Sequence, residues 1–226
     1  MKYLAASATL ALLAACGGDD DDEPVVQTPG TIAQVATDAG FTALVVAAQK
    51  AGLVAALSAA DANLTVFAPT NEAFAALATK LGFTDAGAMV NALPAETLAK
   101  ILSYHVVAGK KTAADIVAAG ATSTQATLYT FEGAATTLAV DTTAGVKITD
   151  EALIPAAVTS ADVAASNGVI HVIDKVLVPP GVLNLAQMAQ LNPAFSILVE
   201  AVVKADLAAA LSGTDKLTVF APTNDA

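Results

Sequence analysis

The 226-residue sequence contains no arginine, only one cysteine and only two histidines. Its ten basic residues are all lysines, they face 21 acidic residues, and the formal net charge is −11. Arginine supplies the planar fork that pairs with phosphates and guanine edges, and a negative chain is repelled by nucleic acid. The composition therefore argues against nucleic-acid binding.

Groups able to carry out catalysis are equally scarce. The sequence has no GxSxG elbow, HExxH, CxxC pair or P-loop. His105 and His171 lie 66 positions apart without a nearby ligand cluster, which disfavours a zinc site. His171 shares a strand face with Val169 and Ile173, which predicts a hydrogen-bonded core histidine. We therefore predict no enzyme activity, catalytic residue, metal or cofactor, with a hydrolase as the remote alternative.

The first 15 residues have the pattern of an export signal. Lys2 precedes an apolar run from Leu4 to Ala15, which is too short to span a bilayer. The run ends Leu-Ala-Ala-Cys, which resembles the lipobox of bacterial lipoproteins and implies a lipid-modified Cys16. In that resemblance Gly17 favours the outer membrane if the cell is Gram-negative. A plain secreted protein with a stray cysteine is the alternative.

An acidic segment follows the cysteine, and we interpret residues 16–30 as a flexible tether. Its repeated aspartates repel one another, and it has little apolar surface to bury. Calcium binding by Asp19 to Asp22 is the sharper alternative. An uninterrupted Asp run lacks the spaced ligands and the glycine of a calcium loop, which disfavours such a site.

The most informative stretch is LTVFAPTNEAF, from Leu64 to Phe74. Alternating side chains point to opposite faces of an extended segment, so Val66 and the core candidate Phe67 need cover on both sides. Pro69 ends the strand, and the Thr70-Asn71 pair predicts a helix start. The stretch recurs as LTVFAPTND from 217 to 225, which indicates a repeated unit.

Helical patterns dominate before residue 105 and short β-prone runs dominate after it. Helices are predicted over 31–38, 41–50, 53–57, 87–92 and 94–104, with a further helical piece at 113–118. Strands are predicted near 123–131, 137–140, 146–149, 158–163 and 169–177. Helices followed by strands predict an α+β fold.

Three ordered motifs resemble the signatures of the fasciclin (FAS1) domain family. They are TVFAPTNEAF, the pair Tyr104-His105 and NGVIHVIDKVLVPP, from Asn167 to Pro180. The resemblance implies the FAS1 fold, with N-terminal helices packed on a twisted β-wedge or sandwich of short strands.

The resemblance also divides the chain into a signal peptide (1–15), the tether (16–30), a first FAS1 domain (31–180) and an incomplete start of a second (181–226). We expect the first to fold alone and the second, with only its opening helices and first strand, not to.

The resemblance also implies a function: an envelope-anchored lipoprotein that acts as a cell-surface adhesion or binding module. Its partner would be an unknown cell-surface or matrix protein or glycan. In the family the Tyr-His pair is implicated in receptor binding, which implies a partly exposed Tyr104 beside His105. The alternative is a packing interpretation, in which Tyr104 packs its ring and His105 fixes the start of the following strand. Asp162-Val163 occupies the position of an integrin-linked Asp-Ile pair, or else Asp162 is a solvated charge at a strand edge. A purely structural envelope protein is the main alternative.

Overall fold

The computed structural model describes residues 28–213 and 217–226. The predicted signal peptide, Cys16, the Asp19–Asp22 run and nearly all of the tether lie outside the described residues. Among the helices within them, none is long and apolar enough to cross a membrane.

The chain begins with short helices and continues into strands, which confirms the α+β class. The helices before the first long strand run are α1 (Ile32–Asp38), α2 (Thr42–Lys50), α3 (Val54–Ser58), α4 (Asn71–Lys80), α5 (Ala86–Ala92) and α6 (Ala95–Tyr104). A short α7 follows at Ala113–Ala118. The strands are β1 (Leu64–Pro69), β2 (Val106–Ala108), β3 (Thr122–Phe131), β4 (Ala134–Asp141), β5 (Lys147–Thr149), β6 (Pro155–Ala165) and β7 (Gly168–Ile173).

The seven strands form a closed barrel in chain order. β1 lies parallel to β7 and antiparallel to β2, so that Thr65 stands opposite both Val169 and Val107. All other neighbouring pairs are antiparallel. The expected wedge or sandwich is closed into a ring because β7 returns beside β1.

β1 separates two hydrophobic clusters, as its alternating pattern predicts. Val66 and Ala68 face the helices and join a cluster that includes Phe74, Leu98 and Leu102. Phe67 faces the barrel interior and joins a second cluster, with Tyr104, Tyr129, Leu138, Ile148 and Ile173. Both faces of the strand are therefore buried, and the prediction of a core strand turned into a core-facing helix is confirmed.

The turn after β1 fixes the helical layer. The Thr70 hydroxyl accepts a hydrogen bond from the Ala73 N–H at 3.2 Å and caps α4. The Asn71 side chain accepts from the Ala43 N–H at 3.0 Å and donates to the Gly40 carbonyl at 2.9 Å. Asn71 thus holds the start of α2, which explains structurally why this residue follows the strand.

The last strand is shorter than predicted. The sequence predicts a run from 169 to 177, but β7 ends at Ile173, opposite Pro69. Pro69 has no N–H to continue the ladder, and its chain turns into α4. Beyond β7 the N–H groups of Leu177 and Val178 bind side chains instead: His105 at 2.9 Å and Asp150 at 2.7 Å.

The segment after Pro180 packs on the first domain through α8 (Leu185–Leu191). Leu191 is buried in the helix-side cluster, and its carbonyl accepts from the Lys80 ammonium at 2.7 Å. The Asn192 side chain donates to the Ala152 carbonyl at 3.2 Å. The region from residue 181 onward is thus in contact with the first domain through α8.

The second copy reproduces the opening helices, with a 3-10 turn at Pro193–Phe195, α9 (Ser196–Lys204) and α10 (Ala208–Leu211). Asn224 also repeats the role of Asn71, since it accepts from the Ile197 N–H at 3.0 Å and donates to the Pro193 carbonyl at 2.8 Å. The predicted strand at 217–220 is wrong: it pairs with no strand of the described residues, and Phe220 is 93% exposed. A strand needs a neighbour to satisfy its backbone groups.

Candidate functional site

Tyr104 lies at the end of α6 with its side chain inside the barrel. It is 0% exposed, and its hydroxyl donates to the Thr137 carbonyl at 3.3 Å. Its ring meets the Tyr129 ring edge-on, with centroids 6.3 Å apart. Burial, reinforced by the nearby Asp150 carboxylate, raises the pKa of Tyr104 well above its ordinary value. Tyr104 is therefore a neutral core side chain, and the prediction of partial exposure is wrong.

His105 is also buried, at 1% exposure, and both ring nitrogens are occupied. Nδ1 lies 2.7 Å from the Ile101 carbonyl, and Nε2 accepts from the Leu177 N–H at 2.9 Å. These partners require the neutral ring with its proton on Nδ1. Burial lowers the pKa of His105 to about 4, although the Ile101 carbonyl opposes the shift. His105 thus pins the segment after β7 to the end of α6.

Tyr104 and His105, two of the four residues predicted to bind a partner, are neighbours in the core. In the folded domain they can influence a partner only through the surface that they support. The packing interpretation, in which Tyr104 fills the interior and His105 fixes the start of a strand, agrees with these contacts.

His171 lies on β7 and is 1% exposed. Its Nε2 lies 2.8 Å from the Lys111 carbonyl, and Nδ1 accepts from the Asp162 N–H at 3.3 Å. Its ring stacks on Phe67 with centroids 5.6 Å apart. The prediction of a hydrogen-bonded core histidine is confirmed. His171 also joins two exposed segments, the loop before α7 and the middle of β6.

Asp162 lies in an irregular part of β6, where the pairing with β7 shifts register between Ser160 and Val163. Its φ of 58° is in the left-handed region, which Asp tolerates better than most residues. The carboxylate is exposed and accepts from the Ala113 N–H at 2.8 Å, at the first residue of α7. Val163 is half-buried against the helix-side cluster. The structure thus leaves Asp162 on the surface but gives it a hydrogen-bonded role.

Asn167, which the sequence marks only as the start of the third motif, is a structural residue. It is 1% exposed, and its Oδ1 accepts from the Ile32 N–H at 2.9 Å. Its Nδ2 donates to the carbonyls of Leu57 and Ala59, at 2.9 Å and 2.8 Å. One side chain therefore connects the β6–β7 turn with the start of α1 and the end of α3.

The neighbouring Gly168 permits that arrangement. A Cβ added there would lie 2.4 Å from the Leu64 carbonyl oxygen and 2.6 Å from a methyl group of Ile32. Only glycine allows α1 and β1 to approach so closely. The Asn-Gly pair combines a polar bridge with a close backbone contact, and neither could be inferred without knowing the tertiary neighbours.

Asp150 is the buried carboxylate of the domain. It accepts from the N–H groups of Val178 at 2.7 Å and Ala152 at 3.0 Å. Burial raises the pKa of Asp150, and these hydrogen bonds oppose the rise. Within residues 28–213 and 217–226 no three His, Cys, Asp or Glu side chains are grouped so that they could hold a metal ion. Asp150 therefore stabilises the fold through its hydrogen bonds to the backbone.

The fold is thus an α+β module in which helices cover one side of a closed barrel and buried polar residues join its loops. Residues 39–179 and 193–226 match the family model of the fasciclin domain, so the chain belongs to the fasciclin domain family. Fasciclin domains are generally cell-adhesion or binding modules and not enzymes.

The chain is similar to several known proteins. Protein sll1483 of a Synechocystis strain is 44% identical over 154 residues, which cover 66% of this chain and 74% of the relative. Transforming growth factor-beta-induced protein ig-h3 of Sus scrofa is 32% identical, over 73% of this chain and 21% of the relative. A solved FAS1 domain pair from the insect cell adhesion molecule fasciclin I is 20% identical, with a TM-score of 0.38, over 84% of this chain and 58% of that one.

Proposed function

We propose that this chain is an envelope-anchored fasciclin lipoprotein that acts as an adhesion or binding module at the cell surface. The observation that carries the adhesion or binding role is the fasciclin match over residues 39–179, since fasciclin domains are generally cell-adhesion or binding modules. Its partner is a cell-surface or matrix protein or a glycan.

The proposed anchor is a lipid on Cys16, exposed as the new amino terminus after signal cleavage. Several acyl chains on one cysteine would hold the protein stably at a membrane, unlike a single chain. Gly17 favours the outer membrane if the cell is Gram-negative. Cys16→Ser should abolish the incorporation of labelled fatty acid, whereas unchanged labelling would contradict the anchor.

The proposed binding surface is centred on Asp162, with Val163 supporting it from below. Two hydrogen bonds join this region to α7 and the loop before it: Asp162 in β6 accepts from Ala113 at the start of α7, and the Lys110 ammonium donates to the carbonyl of Ser166, just after β6, at 3.2 Å. His171 fixes the same two segments from inside the barrel. Because these hydrogen bonds already fix the segments that carry the charge, few side chains or loops have to become ordered when a partner binds, which lowers the free-energy cost of binding.

A glycan and matrix-protein array tests the proposal, followed by affinity measurements on any partner found. Asp162→Asn removes the charge but keeps an acceptor and tolerates the left-handed backbone. Asp61→Asn, an exposed loop charge, is the matched control. We expect saturable binding that Asp162→Asn weakens and Asp61→Asn does not, with unchanged melting in both. Absence of saturable binding to any component would favour a purely structural protein.

A further inference from the structure

An apolar cavity of about 110 Å³ lies between the first helices and the barrel. Its floor includes Val66 of β1 and Ile170 of β7, and its roof includes Ala36 of α1, Ala48 of α2 and Leu57 of α3. Apart from His105, Thr37 and Gln49, every residue that lines it is aliphatic. Close-packed interiors leave few voids larger than a water molecule, so a cavity of this size needs an explanation.

The polar residues around the cavity do not offer a polar ligand a partner inside it. Both nitrogens of His105 are bound to backbone groups, as described above, and burial lowers the pKa of His105 to about 4, which keeps the ring neutral. The Thr37 hydroxyl donates to the Ala33 carbonyl at 2.8 Å. Thr37 and Gln49 are both exposed and lie at the solvent side. A charged or polar group would lose its hydration here without compensation.

The size of the cavity limits what can enter. Engineered aliphatic cavities of about 150 Å³ stay dry and take up benzene or xenon. A cavity of about 110 Å³ has about three quarters of that volume, so by comparison with six-carbon benzene it accommodates about four to five carbon atoms. A short aliphatic segment fits this volume, whereas a large or aromatic-fused ring system does not.

The helix α3 supplies the entrance. It has five residues, none of them buried, and Val54 at its start is 37% exposed. Its C-terminal end is held by Asn167 through the Leu57 and Ala59 carbonyls, whereas Val54 at its other end lines the cavity together with the exposed Thr37 of α1. Opening between Val54 and Thr37 requires no loss of the Asn167 bonds.

We propose that this cavity binds a short uncharged aliphatic group, either a compact hydrocarbon or the end of an alkyl chain whose polar head stays at the mouth between α1 and α3. Neither Asp162 nor Val163 lines the cavity, and of the Tyr-His pair only His105 does. The cavity gives the domain a binding site for small aliphatic groups in addition to its proposed partner-binding surface.

Methyl NMR on the full-length chain tests the proposal, with Cys16→Ser so that no acyl chain of its own competes. n-Pentane represents the free hydrocarbon, octanoate represents a chain with a head group, and butylammonium is the charged comparison. We expect saturable shifts of the Ile32, Leu44 and Ile170 methyl groups with n-pentane and none with butylammonium. Shifts with octanoate as well would identify chain ends as ligands, and shifts with n-pentane alone would restrict the site to compact molecules. No shift with either n-pentane or octanoate would overturn the proposal.

Cavity-filling variants give an independent test. Ala36→Leu and Ala48→Leu place extra methyl groups inside the cavity, and Ala75→Leu on the exposed face of α4 is the matched control. We expect either filling variant to lose n-pentane binding at least tenfold and to melt a few degrees higher, and the control to bind normally. Unchanged binding in a folded filling variant would overturn the proposal. If neither filling variant folds, the n-pentane shifts are compared within the unfilled protein. Shifts of the Leu138 and Ile148 methyl groups in the barrel interior that equal those at Ile32 would overturn the proposal.

Discussion

The burial of His105 predicts a loss of stability in mildly acidic solution. The unfolded ring has a pKa of about 6.5 and the buried ring a pKa of about 4. Because the native state disfavours the protonated ring, the unfolded chain binds more protons below pH 6.5. The contribution of His105 is therefore complete above about pH 6.5 and is lost as the pH falls towards 4.

The magnitude follows from the same two values. The full difference corresponds to about 3 kcal/mol, at about 1.4 kcal/mol for each pH unit. Between pH 7.5 and pH 5 the loss from His105 alone is about 2 kcal/mol. The burial of Asp150 raises the pKa of its carboxyl, so its contribution runs in the opposite direction, present at low pH and lost as the pH rises.

Urea denaturation of wild type and His105→Gln at pH 7.5, 6.5, 5.5 and 5 isolates the effect, since Asp150 is common to both proteins. Glutamine keeps a donor and an acceptor but does not titrate. We expect the variant to be less stable at pH 7.5 and the gap to narrow by about 2 kcal/mol at pH 5. A gap that is the same at all four pH values would refute the assignment of a buried neutral histidine.

Three further predictions concern stability. Phe67→Ala, at 1% exposure, should lower the free energy of unfolding by about 3–5 kcal/mol in denaturant melts, and a change below 1 kcal/mol would contradict its place in the barrel. Asn167→Ala should reduce hydrogen-exchange protection in α1 and α3 more than in the barrel strands, since it removes three hydrogen bonds made by a buried side chain; uniform loss would argue against a local role. Asp162→Ala should cost about 1–2 kcal/mol through the lost bond to Ala113 and the left-handed backbone, with Asp162→Asn restoring most of it; equal melting of both variants would contradict that role.

The fold was largely predictable because local patterns agree with one another. Leu64 to Phe74 combines two-residue alternation, a strand-ending proline and a helix cap, and each feature formed as expected. The features that local patterns did not predict, such as the closure of the barrel and the early end of β7, depend on contacts between distant segments. Asn71 binds the Ala43 N–H at the start of α2, 28 residues away, and Asn167 binds the Ile32 N–H at the start of α1, 135 residues away.

The site was less predictable because the resemblance favoured a surface role for the Tyr-His pair over the packing interpretation. Ile101 faces the core, and Tyr104 and His105 follow it by three and four residues, so helical spacing alone places both on the buried face. That signal was available. The hydrogen bond that Asp162 accepts from the Ala113 N–H of α7 could not be predicted, because it depends on a register shift in β6 that no local sequence pattern indicates.

The most direct test of the account is the affinity of folded variants for a partner identified on the array, compared at equal folded fraction. Tyr104→Phe removes only the buried hydroxyl, and Asp162→Asn removes an exposed charge. We predict that Tyr104→Phe binds within about twofold of wild type and that Asp162→Asn loses about fivefold or more, which corresponds to about 1 kcal/mol. The reverse pattern, with binding lost in a fully folded Tyr104→Phe and kept in Asp162→Asn, would contradict recognition by the Asp162 surface.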